Sequence, residues 1–212
     1  MSRRFLKSTS VVSGMTLLSR VLGLARDIVF ARLFGAGIVM DAFFVAFKIP
    51  NLLRRFFAEG AFSQAFVPVF AEYKSTRTQA ELKELADRVS GTLGLALFVV
   101  TLIGVVAAPI LIMIFAPGFL GRGEQYDLAT AMLRFTFPYI LFISLTGLAG
   151  AMLNNFGKFA VPAFTPVLLN VVMISAAIWL EPLMPRPGLG LALGVFLAGL
   201  VPVSYTHLTL PT

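Results

Sequence analysis

"SRVLGLARDIVFARLFGAG" occupies residues 19–37. It has the apolar content of a membrane-spanning helix, yet it carries Arg20, Arg26, Asp27 and Arg32. A charge at a bilayer centre costs about 2.5–3.5 kcal/mol on insertion scales. Such residues must face a wet or protein-lined interior, pair with one another, or snorkel to the interface. Arg32, close to the segment's end, suits snorkelling. Arg20 lies near the midpoint of an apolar segment running from 10 to 34, too deep for that escape. Asp27 is seven residues from Arg20, on the same helix face, and adjacent to Arg26, so it can neutralise either one.

Working outward, the rest of the chain is a membrane protein by composition. Of its 212 residues 58% are hydrophobic and 13% charged, and the mean hydropathy is +0.90. Residues 89–121, 135–157, 159–180 and 187–212 contain no Asp, Glu, Lys or Arg. Each run is long enough for the roughly 20 apolar residues of a spanning helix. The expected fold class is all-α, a polytopic membrane helical bundle. Its apolar segments are about 10–34, 39–71, 89–116, 128–154, 160–180 and 188–203. The chain has no cysteine and one histidine, His207, which leaves no donor set for a metal centre and no histidine-based catalytic group.

Charge is placed unevenly. Residues 1–60 hold nine basic side chains against Asp27, Asp41 and Glu59, whereas the remainder is nearly balanced. Arg3, Arg4 and Lys7 precede the first segment as a cytoplasmic flank. The apolar run after them is broken at Arg20 with no cleavage site, so it does not read as a removed signal. Lys and Arg also concentrate in residues 72–88 and at Lys158, which places these connections and the N-terminus inside the cell. "AEYKSTRTQAELKELADRVSG" (71–91) reads as a solvated connector, with a short amphipathic surface helix as the alternative. Residues 204–212, "SYTHLTLPT", abandon the apolar pattern and read as a truncated or non-native tail.

In the second segment Asp41, Lys48 and Arg55 recur every seven residues, with Glu59 one turn further, and Arg54 is turned about 100° from Arg55. Pro50, Pro138, Pro162 and Pro166 interrupt the segments. Proline frees a carbonyl, and a membrane helix tolerates that where protein or a water-filled cavity satisfies it. Arginines in excess of carboxylates suit an anion. The guanidinium fork grips phosphate bidentately and stays charged when partly buried. With apolar surroundings for a lipid tail, the residues describe a pocket for a lipid with a phosphorylated head.

"SRVLGLARDIVFARLFGAG" followed by "DAFFVAFKIPNLLRRFFAEGAFSQAFVPVFAEYK" resembles the start of the MurJ (MviN) family, flippases of the peptidoglycan precursor lipid II. "APGF" (116–119), "FPYILFISL" (137–145) and "PAFTPVLLN" (162–170) fit the same family in order, so the resemblance covers residues 5 to about 203. It implies the first six-helix lobe of a MATE-like two-lobe transporter, residues 1–203. It also implies alternating access that carries an undecaprenyl-diphosphate-linked head across the bacterial inner membrane. Carried over by motif, Arg20, Arg26 and Arg54 would hold the diphosphate and Asp41 would act as a gate or pairing partner. Ser19, Asn51 and Glu59 match positions near the cavity. Lipid II is the implied ligand, cell-wall synthesis enzymes are implied partners, and no cofactor is expected.

Three rivals are open. A cation-coupled drug exporter or polysaccharide-lipid flippase could use the same fold, but without the N-terminal flank the first two segments still carry a net +3, the wrong sign for cationic drugs. A membrane enzyme acting on polyprenyl phosphates would need a nucleophile, a base or a metal-binding acidic pair. A non-transporting scaffold for cell-wall enzymes is the third.

Overall fold

The computed structural model describes residues 3–55 and 61–209, with side chains described for 9–55 and 64–206. The described residues are helical throughout and contain no strand. The helices are α1 (Arg3–Phe34), α2 (Ile38–Arg54), α3 (Ala61–Thr76), α4 (Gln79–Val106), α5 (Ala108–Phe115), α6 (Gly123–Thr136), α7 (Tyr139–Asn155), α8 (Ala160–Ser175) and α9 (Leu189–Thr209). Four described stretches are long and apolar enough to cross a membrane: Gln79–Val106, Gly123–Asn155, Ala160–Leu183 and Leu189–Thr206. The charge-bearing α1 and the shorter α2 are not among them.

Local chemistry sets the boundaries. α1 ends at Gly35, whose φ of +61° is the left-handed conformation that closes a helix and that glycine adopts without a Cβ penalty. Its N–H donates to the Ala31 carbonyl at 3.0 Å. In the apolar segment 39–71 the described residues form α2 and α3, and residues 56–60 lie outside the described residues. The 71–91 stretch departs from the solvated connector expected of it. α3 runs through Thr76, and α4 begins two residues after Arg77. Thr78 and Glu81 form a reciprocal capping box: the Thr78 hydroxyl accepts from the Glu81 N–H, and the Glu81 carboxylate accepts from the Thr78 N–H. Leu82 is buried and Leu85 packs against the core. The alternating charges belong to the first turns of a long spanning helix.

The core sits where α6, α7 and α9 meet α2, α4 and α5. It includes Leu97, Ile112, Met132, Leu133, Phe137, Ile140 and Leu191, all nearly or fully inaccessible. Gly104 allows α4 to lie against Phe137, since an added Cβ would fall 2.0 Å from that ring. The Thr136 hydroxyl donates to the Ala46 carbonyl at 2.8 Å and ties α6 to α2. Outward, α4 and α5 expose Leu95, Phe98, Leu102, Ile103, Val106, Ile110 and Ile114. An apolar face of this extent belongs in lipid rather than water.

α1 stands at the margin, packed mainly along α8, and α8 in turn packs on α7 and α9. α8 passes through a π-helical turn at Ala176–Leu180 and a short 3-10 turn at Glu181–Leu183 before α9.

Candidate functional site: an arginine clamp and an arginine-walled cavity

Two arginine environments lie along α8. In the first, α1 presents Ser19, Gly23 and Arg26, spaced i, i+4, i+7 and therefore on one face. At Gly23 the helices pass close: a Cβ there would stand in ordinary contact, 3.8 Å, with the Asn170 amide nitrogen. That nitrogen donates to the Ser19 carbonyl at 3.0 Å, with the Ser19 hydroxyl at 3.5 Å. The Asn170 carbonyl oxygen accepts from Arg26 Nη1 at 3.1 Å. One buried amide thus bridges two turns of α1.

Arg26 also donates from Nε (3.0 Å) and Nη2 (2.8 Å) to one oxygen of Asp27. Its guanidinium carbon lies 5.9 Å from the Phe30 ring centroid, a cation–π distance. Asp27 therefore neutralises Arg26. Three of the five guanidinium N–H groups are engaged and two remain for a ligand. The Arg26 side chain keeps 25% of its surface exposed and Asp27 keeps 63%, so this ion pair is partly wet and open to exchange.

The second environment is a cavity of about 650 Å³ between α2, α3, α7 and α8. Arg54 lies in its wall, near Val67 of α3, the small residues Gly147, Gly150 and Ala151 of α7, and Pro162, Thr165 and Pro166 of α8. Arg54 Nε donates to the Asn51 side-chain carbonyl at 3.0 Å, one turn back on α2. Asn154 and Asn155 supply polar groups at the end of α7. Nearby, Lys74 of α3 donates to the Asn155 carbonyl, and its ammonium lies 4.8 Å from the Phe156 ring centroid. This closes the α7 C-terminus with a cation, where the helix dipole favours one. Asn170 is one turn beyond Pro166 on α8, an axial rise of about 6 Å, so α8 connects the two arginine environments.

The structure thus joins Ser19 with Arg26, and Asn51 with Arg54. Arg20 is exposed on the outer side of α1, without a hydrogen-bond or ion-pair partner among the described residues, and does not line this cavity. Asp41 is exposed in the first turn of α2, a position the helix dipole favours for an acid. Lys48 and Arg55 are exposed as well, so Asp41, Lys48 and Arg55 do mark one side of α2. Glu59 lies outside the described residues. Asn170 and Thr165 were missed by sequence reasoning. The available signal was that Asn170 is the one amide side chain in the charge-free run 159–180, and a polar group inside a spanning helix needs a partner.

Together these features define an all-α polytopic membrane protein with guanidinium groups held at a helix pair and at a cavity wall. Residues 30–208 match the family model described as "MurJ: Lipid II flippase MurJ", and the chain belongs to that family. The "Probable lipid II flippase MurJ" of Vibrio cholerae serotype O1 is 52% identical over 207 residues, covering 94% of this chain and 39% of the relative. The "Lipid II flippase MurJ" of Burkholderia cenocepacia is 50% identical over 190 residues, covering 90% of this chain and 37% of the relative. A solved structure, "Lipid II flippase MurJ, inward closed conformation", superposes with a TM-score of 0.76 at 30% identity, over 91% of this chain and 40% of that one. The chain therefore spans about two fifths of the relatives it matches, and the family resemblance read from its motifs is borne out.

Proposed function

We propose that this chain forms one transmembrane lobe, residues 1–203, of a transporter that moves lipid II from the cytoplasmic to the outer leaflet of the bacterial inner membrane. The observation that carries this reading is the cavity with Arg54 in its wall, in a chain whose relatives are named lipid II flippases. No bond of the substrate is made or broken, so the protein is not an enzyme. The polyprenyl tail stays in lipid while the diphosphate head enters the cavity.

Arg54 and Arg26 would bind the diphosphate through the planar fork that suits phosphate oxygens. Arg26 would exchange part of its bond to Asp27 for phosphate, which the exposure of that pair makes cheap. Arg20 and Asp41, on exposed faces of α1 and α2, would meet the substrate or a second lobe as the lobes rock in alternating access. The N-terminus would be cytoplasmic, and cell-wall synthesis enzymes would receive the product.

The test is complementation. Expressed as the corresponding lobe of the full-length transporter in a bacterium depleted of its own lipid II flippase, the chain should support growth and lipid II export. Arg26→Ala combined with Arg54→Ala should abolish both. Full activity of that double variant would instead favour a scaffold role.

A further inference from the structure

Two prolines of α8 face the cavity, and neither is accounted for by phosphate binding. Pro166 has no N–H, so the carbonyl of Pro162, one turn earlier, receives no helix bond from it. Both residues line the cavity wall. Thr165, beside Pro166 in the same wall, is 8% exposed, and its hydroxyl has no hydrogen-bond partner. Thr16, Thr92, Thr146 and Thr206 each donate to the carbonyl four residues back; Thr101 and Thr130 also lack a partner, but of these three it is Thr165 that is among the described residues lining the cavity. An unpaired buried hydroxyl costs about 1–3 kcal/mol, and rotation about χ1, which breaks no bond here, would turn it to the wall. Asn154, another lining residue, is exposed, and its side-chain amide makes no hydrogen bond within the described protein. Among the described residues lining this cavity, Arg54 is the one that is charged.

The geometry points to a neutral polar subsite beside Arg54, formed by the Pro162 carbonyl, the Thr165 hydroxyl and the Asn154 amide. It takes the hydroxyl- and amide-bearing sugar next to the diphosphate. The proposal rests on the transport reading above and adds what that reading leaves open, namely which groups read the uncharged part of the head. Three donor and acceptor groups suit an N-acylated sugar, which offers N–H, C=O and O–H together. The volume of about 650 Å³ lies within the range of small-molecule sites and exceeds what a diphosphate alone would fill.

The experiment compares two probes, lipid II and undecaprenyl diphosphate, binding to the protein in nanodiscs. Thr165→Val removes the hydroxyl and keeps the shape, whereas Thr165→Ser keeps the hydroxyl. Thr165→Val should weaken lipid II about 3- to 10-fold, the loss expected for one hydrogen bond, and leave undecaprenyl diphosphate within about twofold. Thr165→Ser should bind both like the unsubstituted protein. Unchanged lipid II affinity in Thr165→Val, or an equal loss for both probes, overturns the subsite and leaves the transport reading standing. Failure of the unsubstituted protein to bind either probe overturns both.

Discussion

Asn170 is the residue on which the placement of Arg26 turns. Its amide is the link between α8 and α1, accepting from Arg26 and donating to the Ser19 carbonyl. Interhelical hydrogen bonds in membranes contribute about 1 kcal/mol. Asn170→Ala should therefore lower the free energy of unfolding in detergent by about 1 kcal/mol and release Arg26 from α8; an unchanged unfolding midpoint would contradict the clamp. Arg54→Lys should weaken diphosphate-lipid binding several-fold despite the kept charge, because an ammonium cannot supply the planar fork; equal affinity in a direct binding assay would contradict bidentate contact. Arg26 and Arg54 stood out in the sequence as charges in apolar runs, whereas Ser19 and Asn51 entered only through the family resemblance. The partners were less legible. Asn170 lies 144 residues from Arg26, and local periodicity carries no information about a contact at that separation.

At the scale of the helix, close approaches and helix ends do most to fix the arrangement. Gly104 admits the Phe137 ring between α4 and α6. Gly104→Val would overpack a site in which Phe137 is already 2% exposed, at a cost of about 1–3 kcal/mol. Thermal unfolding should show the loss, and wild-type stability would mean that the ring has room to move. The apolar runs 89–116 and 128–154 were each read as one segment, whereas the structure has α4 and α5 in the first and α6 and α7 in the second. The same reading ranked a solvated connector above the amphipathic helix that Leu82 and Leu85 suggest for residues 71–91, because the Thr78–Glu81 box was not read as a helix start. Helix boundaries depend on single caps and turns, which hydropathy averages away.

The whole molecule is a bundle whose outer apolar face needs lipid and whose arginines need an anion or a wet interior. Its proposed orientation, N-terminus inside, rests on the placement of Lys and Arg. The absence of cysteine allows a clean test. A membrane-impermeant maleimide added outside intact cells should label Gly121→Cys and not Ser75→Cys; the reverse pattern would invert the proposed topology. The fold class was legible because the bilayer imposes long apolar helices; a pocket was expected from the arginines and prolines, but its walls were not legible, since they come from four helices meeting. The central claim is that Arg26 and Arg54 together hold a diphosphate lipid. Its most direct test is the dissociation constant of lipid II from the protein in nanodiscs, with and without Arg26→Ala combined with Arg54→Ala. Loss of two charge-assisted contacts predicts at least about a 100-fold weaker complex. An affinity unchanged by the double substitution would contradict the account.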